Sequence, residues 1–262
     1  MSSPHPSPIS GGLASLRAQE GLVVRPAAER FHSHQGWLES WHSFSFAGHD
    51  DPAWRGFGPL LVINEDRIDG GRGFGMHPHS DMEIITVMVE GSLRHRDSMG
   101  HSEALRTGEV QRMSAGTGIV HSEINGGEQT CRLLQIWITP SRRGITPSYD
   151  QKAFPSAEGW TLLIDPEGSE GAMAIERPVR LWRGRPRAGS PLTLPVAADA
   201  HGWIQVIDGS LEASLNRANP AKDADPMRGH LEAGDGLGFS PGIGGSLTAL
   251  GDGADLLLFE LR

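Results

Sequence analysis

Gly73-Phe-Gly-Met-His-Pro-His79, answered further along by His121-Ser-Glu123, is the stretch from which the fold is read. His77 and His79 stand two apart, as do His121 and Glu123. In a β-strand, residues two apart point to the same face. Each pair can therefore aim both side chains at one point, and two neighbouring strands can deliver all four. This pattern predicts a mononuclear metal site inside a β-barrel.

The rest of the chain favours the same architecture. Its 35 glycines and 18 prolines are spread over 262 residues, a density that interrupts helices and suits short strands joined by turns. Strands are predicted at Leu60–Asn64, Glu83–Val89, Leu93–Asp97, Leu133–Ile138, Thr161–Ile164, Trp203–Val206 and Leu256–Leu261. Only Ala27–Arg30 and Tyr149–Phe154 suggest a helical turn or two. Residues 1–20, rich in Ser, Pro and Gly, lack the basic start and apolar core of a signal peptide. They read as a disordered or loosely docked extension.

An internal repeat divides the chain. Val87-Met-Val-Glu-Gly-Ser-Leu93 resembles Gln205-Val-Ile-Asp-Gly-Ser-Leu211, and Thr107–Gly116 resembles Ala233–Gly242 in the same order. One supersecondary unit is used twice. We expect an all-β protein of two tandem jelly-roll barrels. The N-terminal domain should span residues 21–155 and the C-terminal domain 156–262, with the boundary between Tyr149 and Ile175. The second copy carries an insertion near Asn216–Gly229, read as a polar loop. Superposing the repeats puts Pro195, Ala197, Leu247 and Ala249 opposite His77, His79, His121 and Glu123. One barrel holds the full donor set and its twin holds none.

The net charge of −9 comes without a basic stripe, which argues against nucleic-acid binding. No 18-residue apolar run suggests a membrane span. The single cysteine, Cys131, forbids an internal disulfide and fits a reducing, cytoplasmic compartment; we expect it in a buried strand. Imidazoles suit Fe, Ni, Cu and Zn, and a carboxylate shifts preference toward harder ions. Four protein ligands on an octahedral ion leave two positions open for substrate, water or dioxygen. Two carboxylates compete for the fourth place. On a straight strand Glu83 lies about 13 Å from His79, whereas Glu123 lies about 7 Å from His121. A bulge or corner could bring Glu83 in, but spacing favours Glu123. Phe44, Phe46, Met76 and Met113 are candidate pocket linings, though each also suits a core. His95 and His101 read as exposed residues near turns. One of His32, His34, His42 and His49 is expected to support the ligands from behind.

His77-x-His79-x-x-x-Glu83 with Gly91, then His121-x-x-x-Asn125, resembles the two signature motifs of the cupin superfamily. Gly73–His79 with Ser114-Ala-Gly-Thr-Gly-Ile-Val-His-Ser-Glu123 resembles the pirin family, as do Gly36–Phe46, Leu134–Pro140 and Gly144–Tyr149. The match is strong over Leu22–Phe154 and weak beyond, and is nearest to bacterial, quercetinase-active members. This resemblance implies a bicupin with metal ligands His77, His79, His121 and Glu123, and leaves Glu83 a supporting role. It implies one divalent transition metal, usually iron, with Ni, Mn, Co, Cu or Zn as alternatives. The implied activity is a flavonol 2,4-dioxygenase of the quercetin 2,3-dioxygenase type. It acts on a flavonol such as quercetin with dioxygen and releases carbon monoxide, with Glu123 as the base for the 3-hydroxyl. A second implied reading is a metal-dependent redox sensor that acts through protein partners.

Overall fold

The computed structural model describes residues 12–219 and 225–262. Two sheets build the first barrel. One has seven strands in the order Ser148–Ala153, Glu109–Ser114, Glu83–Glu90, Cys131–Ile138, Leu60–Ile68, Leu38–His42, Phe31–His34. The other has four: Gly73–His79, Ile119–Ile124, Ser92–Asp97, Ser102–Arg106. The second barrel is one nine-stranded sheet curled around the long strands His201–Arg217 and Ile243–Leu261. The chain thus folds as an all-β bicupin of jelly-roll barrels.

Alternation of side chains explains how the barrels join. Along Glu83–Glu90, Ile84 and Met88 face the interior of the first barrel, while Ile85, Val87 and Val89 face the second. Along Cys131–Ile138, Leu133 points inward and Leu134, Ile136 and Ile138 point across. Both faces are covered, so these strands read as nearly continuous apolar runs. The second barrel mirrors this: Leu257 and Phe259 reach across, while Leu256 and Leu258 fill its own core. At the junction Phe44 meets Trp203, with ring centroids 4.9 Å apart.

The repeat is visible in the backbone. Gly91 and Gly209 occupy matching turns at φ 80° and 77°, a left-handed conformation that favours glycine. The ligand-equivalent positions of the second barrel are apolar: Leu247 is fully buried and Ala249 nearly so.

Four expectations need correction. Leu13–Arg17 forms a short helix, with Leu16 fully buried against the second barrel and the Ser15 hydroxyl donating to the Arg228 carbonyl at 2.7 Å. The described part of the 1–20 extension is therefore firmly docked, because it carries apolar side chains that seal the sheet; residues 1–11 lie outside the described residues. Leu22–Arg25, assigned to the N-terminal domain, instead pairs with Gly236–Phe239 of the second barrel. Its free N–H and C=O groups complete that sheet's edge. Tyr149–Phe154 is not helical; Ser148–Ala153 is an edge strand paired with Glu109–Ser114, and tertiary pairing overrides weak local preference. The 216–229 insertion is shorter than a loop of that span, since one strand runs to Arg217 and the next begins at Met227; residues 220–224 lie outside the described residues.

Candidate metal centre

Ile119–Ile124 runs antiparallel between Gly73–His79 and Ser92–Asp97. His121 stands opposite His77, and Ile119 opposite His79. A bulge follows: Gly75 and Met76 together oppose Ser122, so Glu123 pairs with Phe74. One donor atom from each of His77, His79 and His121 lies within 4.8 Å of the other two. Glu123 does not join that trio. It forms a second one with His121 and His95, again within 4.8 Å, and His121 is common to both. Glu83 belongs to neither. It is fully buried elsewhere on its strand and accepts a hydrogen bond from Ser114 at 2.6 Å.

The protonation pattern suits a cation. His77 Nδ1 lies 2.7 Å from the Gly75 carbonyl oxygen, so Nδ1–H donates and Nε2 keeps its lone pair. Burial pushes the His79 imidazole down to about 4 and His121 to about 3, with the neighbouring imidazoles adding to the effect. Both rings are neutral and available as ligands at neutral pH. His121 is fully buried, yet neither ring nitrogen has a hydrogen-bond partner. Orphaned buried nitrogens of this kind ask for an explanation, and a metal ion is one.

Glu123 is 2% exposed, and burial pushes its carboxyl up to about 7. Gln135 Nε2 donates to its Oε2 at 2.9 Å. The Thr86 hydroxyl lies 3.3 Å from its Oε1 and 2.9 Å from Gln135 Oε1. Thr86 has one proton, and the shorter contact takes it to Gln135. A protonated Glu123 then closes a ring by donating to Thr86. A cation in place of that proton would hold the ionised form instead. The donor set of imidazoles and a carboxylate therefore fits a divalent metal.

His95 is the residue that sequence reading placed wrongly. It is 1% exposed, because Leu93, His95 and Asp97 alternate inward along Ser92–Asp97. Its ring centroid is 5.4 Å from that of His121. Its Nε2 donates to Asp97 at 3.1 Å and its buried Nδ1 has no partner. The shared parity with Leu93 was the available signal. His101 is half-exposed and binds the same carboxylate at 2.9 Å, and both rings stack with Tyr149 at 4.6 Å.

Around the site, Trp137 meets His79 edge-on at 4.9 Å, and Phe46 meets Trp137 at 5.2 Å. His42 is buried behind Phe46 and bonded to Asn64 at 2.8 Å. It supports the aromatic wall and contacts no ligand. Of the expected linings, Phe44 and Met113 are core, with Met113 in the cluster of Ile119 and Trp137; Met76, next to His77, is 57% exposed, and Phe46 stands against Trp137. A cleft of about 320 Å³ reaches His79, lined by Pro78, Ser98, Gly118, Ile119 and Val120. Cys131 is a buried strand residue, its thiol pushed up to about 11 by burial. No helix among the described residues is long and apolar enough to cross a membrane.

Comparison with known proteins agrees with the two-barrel fold. The pirin family model matches residues 23–138, and a quercetinase C-terminal cupin domain model matches 162–261. The quercetin 2,3-dioxygenase of Escherichia coli K12 is 44% identical over 191 residues, covering 72% of this chain and 83% of that protein. The crystal structure of the E. coli bacterial pirin YhhW in complex with nickel(II) superposes with a TM-score of 0.82 at 38% identity, covering 92% of this chain and 99% of that one. A quercetin 2,3-dioxygenase from Acinetobacter baumannii, 19% identical with a TM-score of 0.71, covers 93% of this chain and 79% of its own and shares the fold. With this family match over both halves and a two-barrel architecture to carry it, the chain belongs to the pirin family of cupin proteins.

Proposed function

We propose that the protein is a metal-dependent quercetin 2,3-dioxygenase-type enzyme that opens a flavonol with dioxygen and releases carbon monoxide. Its ligands are His77, His79, His121 and Glu123, and its resident ion is Fe(II). The observation that carries this reading is the convergence of His77, His79 and His121 on one point, with His121 also within reach of the buried Glu123 carboxyl. A divalent metal held by these residues would supply Lewis-acid and redox chemistry for the reaction of the flavonol with dioxygen. Glu123 takes the 3-hydroxyl proton, since a cation beside it would hold the carboxyl ionised and ready to accept. Thr86 and Gln135 fix the carboxyl's orientation, so the accepting oxygen is aimed before substrate arrives. Trp137 and Phe46 form an aromatic wall beside His79 that keeps water from the reacting ring.

The assay is aerobic incubation of the metal-loaded protein with quercetin, following the flavonol band and carbon monoxide. Saturable loss with stoichiometric carbon monoxide is expected. Glu123→Gln should lower turnover at least ~100-fold, the scale of a lost general base, and should also weaken metal retention. Full activity in that variant would remove Glu123 from the base role. Elemental analysis of protein purified without added metal tests the assignment of iron.

A second reading, a metal-dependent regulator acting through a protein partner, is favoured by one observation. Met76, Met99 and Val120 are exposed by 57%, 38% and 37% on the outer side of the ligand-bearing sheet and its adjoining turn. Slow, non-saturating loss of quercetin would turn the balance toward it.

A further inference from the structure

We propose that the cleft between the two barrels is a second ligand site, which takes a small oxyanion: a phosphate or a carboxylate group. The cleft measures about 510 Å³. Arg112, Ser114, Arg142 and Ser148 line it from the first barrel, and Glu176 and Arg177 from the second. Three arginines face one glutamate, in a chain whose net charge is −9. Glu176 is already engaged by Arg142 at 3.1 Å on the exposed rim, which leaves Arg112 and Arg177 for the interior.

Neither of those two guanidiniums forms a direct ion pair with a carboxylate among the described residues, although the charges of Glu83 and Asp150 act on Arg112 from farther off. Arg112 is 8% exposed, and its Nη1 donates to the hydroxyls of Ser114 and Ser148 at 2.8 and 2.5 Å. It reaches Glu83 only through Ser114, whose hydroxyl donates to that carboxylate at 2.6 Å. Arg177 Nη1 donates to the carbonyls of Thr139 and Pro140 at 3.2 and 3.3 Å. The Nε of each arginine is buried without a hydrogen-bond partner. Buried charges are ordinarily satisfied, and the Nη2 group of each arginine, which is not closed off as its Nε is, makes no hydrogen bond among the described residues; it is the donor that an anion in the cleft would meet. The Ser148 hydroxyl accepts from Arg112, so its own proton is free to donate into the cleft. Guanidinium groups with hydroxyl donors match a carboxylate or phosphate better than a neutral ligand. None of the lining residues belongs to either metal-type trio, so the site is separate from the centre described above. Because the lining comes from both barrels, an anion there ties them together, and binding should raise thermal stability.

The test titrates inorganic phosphate, and in a parallel arm malonate, into the metal-loaded full chain at constant ionic strength. Heat of binding and melting temperature are read together. Saturable one-site binding in the millimolar range or tighter is expected for at least one anion, and the better binder tells phosphate from carboxylate recognition. Hydrogen exchange should slow in residues 141–148 and 174–178. Arg177→Gln and Arg112→Gln should each weaken binding at least ~10-fold, the scale of a lost charge-assisted hydrogen bond. If Arg112→Gln fails to fold, Ser148→Ala with Arg177→Gln carries the test. Binding should persist in His121→Ala, which separates the cleft from the metal centre. Absence of saturable binding by both anions, unchanged affinity in Arg177→Gln, or loss of binding in His121→Ala would each overturn the proposal.

Discussion

Glu123 is the residue to which we assign the base role, and its proton gives a measurable signature. In metal-free protein its folded pKa, about 7, lies above the ordinary carboxyl value of 4.5. A group with a raised folded pKa holds its proton more tightly folded than unfolded. Its stability penalty is therefore absent below about pH 4.5, grows as pH rises to about 7, and is level above that. At one pKa unit per ~1.4 kcal/mol, the full penalty is on the order of 3 kcal/mol. His79 and His121 titrate in the opposite sense, so the wild type alone mixes the effects. Subtracting Glu123→Gln removes them. Metal-free wild type and Glu123→Gln should have similar stability at pH 4.5, and the variant should be the more stable by roughly that amount at pH 8. Urea unfolding across pH checks this, and a difference that stays flat with pH would refute the buried-carboxyl account. Added metal should reverse the order, because the ionised carboxyl then has a cation to bind.

The element that aims Glu123 is the irregular pair of strands 73–79 and 119–124. The bulge opposite Ser122 changes the pairing register between His121 and Glu123, and Gly73 closes the pair at its far end. Gly73 has φ 153°, and a Cβ there would meet the Glu123 carbonyl oxygen at 2.1 Å. Gly73→Ala must push the two backbones apart at the very residue that carries the carboxyl. Overpacking of this kind costs ~1–3 kcal/mol, with further strain from the backbone conformation. We expect that loss in chemical denaturation, together with at least ~10-fold weaker metal retention; a variant that keeps both would show that the strand pair tolerates a shift. This irregularity was not legible in the sequence, where spacing alone placed all four donors on one point. What could be read was parity: the two-residue steps of His77/His79 and His121/Glu123, and the erasure of their counterparts at Leu247 and Ala249. His95 was missed because its strand was read from its turns instead of from Leu93, whose inward face it shares. Tyr149–Phe154 was misread because an edge strand's preference lies in its partner, Glu109–Ser114, and not in its own residues.

At the scale of the molecule, the first segment of the chain serves the second barrel. After Leu13–Arg17 and Leu22–Arg25 dock there, the chain crosses back to build the barrel that carries His77, His79 and His121. The two barrels share one continuous apolar cluster, from Phe44 and Ile85 to Trp203 and Phe259. The donor-bearing first barrel is thus braced on its back by a twin whose own interior is filled with Leu247, Leu256 and Leu258. Composition gave no hint of this crossing, since a Ser-, Pro- and Gly-rich start looks the same whether it is free or pinned by one leucine. Leu16 is that pin. It is fully buried, and it packs so closely over Gly229 that a Cβ on the glycine would sit 2.5 Å from its Cγ. Leu16→Ala removes three carbons from a site where the surrounding sheet cannot collapse, so it should destabilise the protein by about 2–4 kcal/mol. The loss belongs to the second barrel, some distance along the chain from any ligand. Metal stoichiometry under native conditions should therefore be unchanged, while the urea midpoint falls and hydrogen exchange quickens first in 227–232 and 236–239. If exchange quickens first around His77 and His121 instead, the leading segment braces the metal barrel directly and the division of labour between the barrels is different.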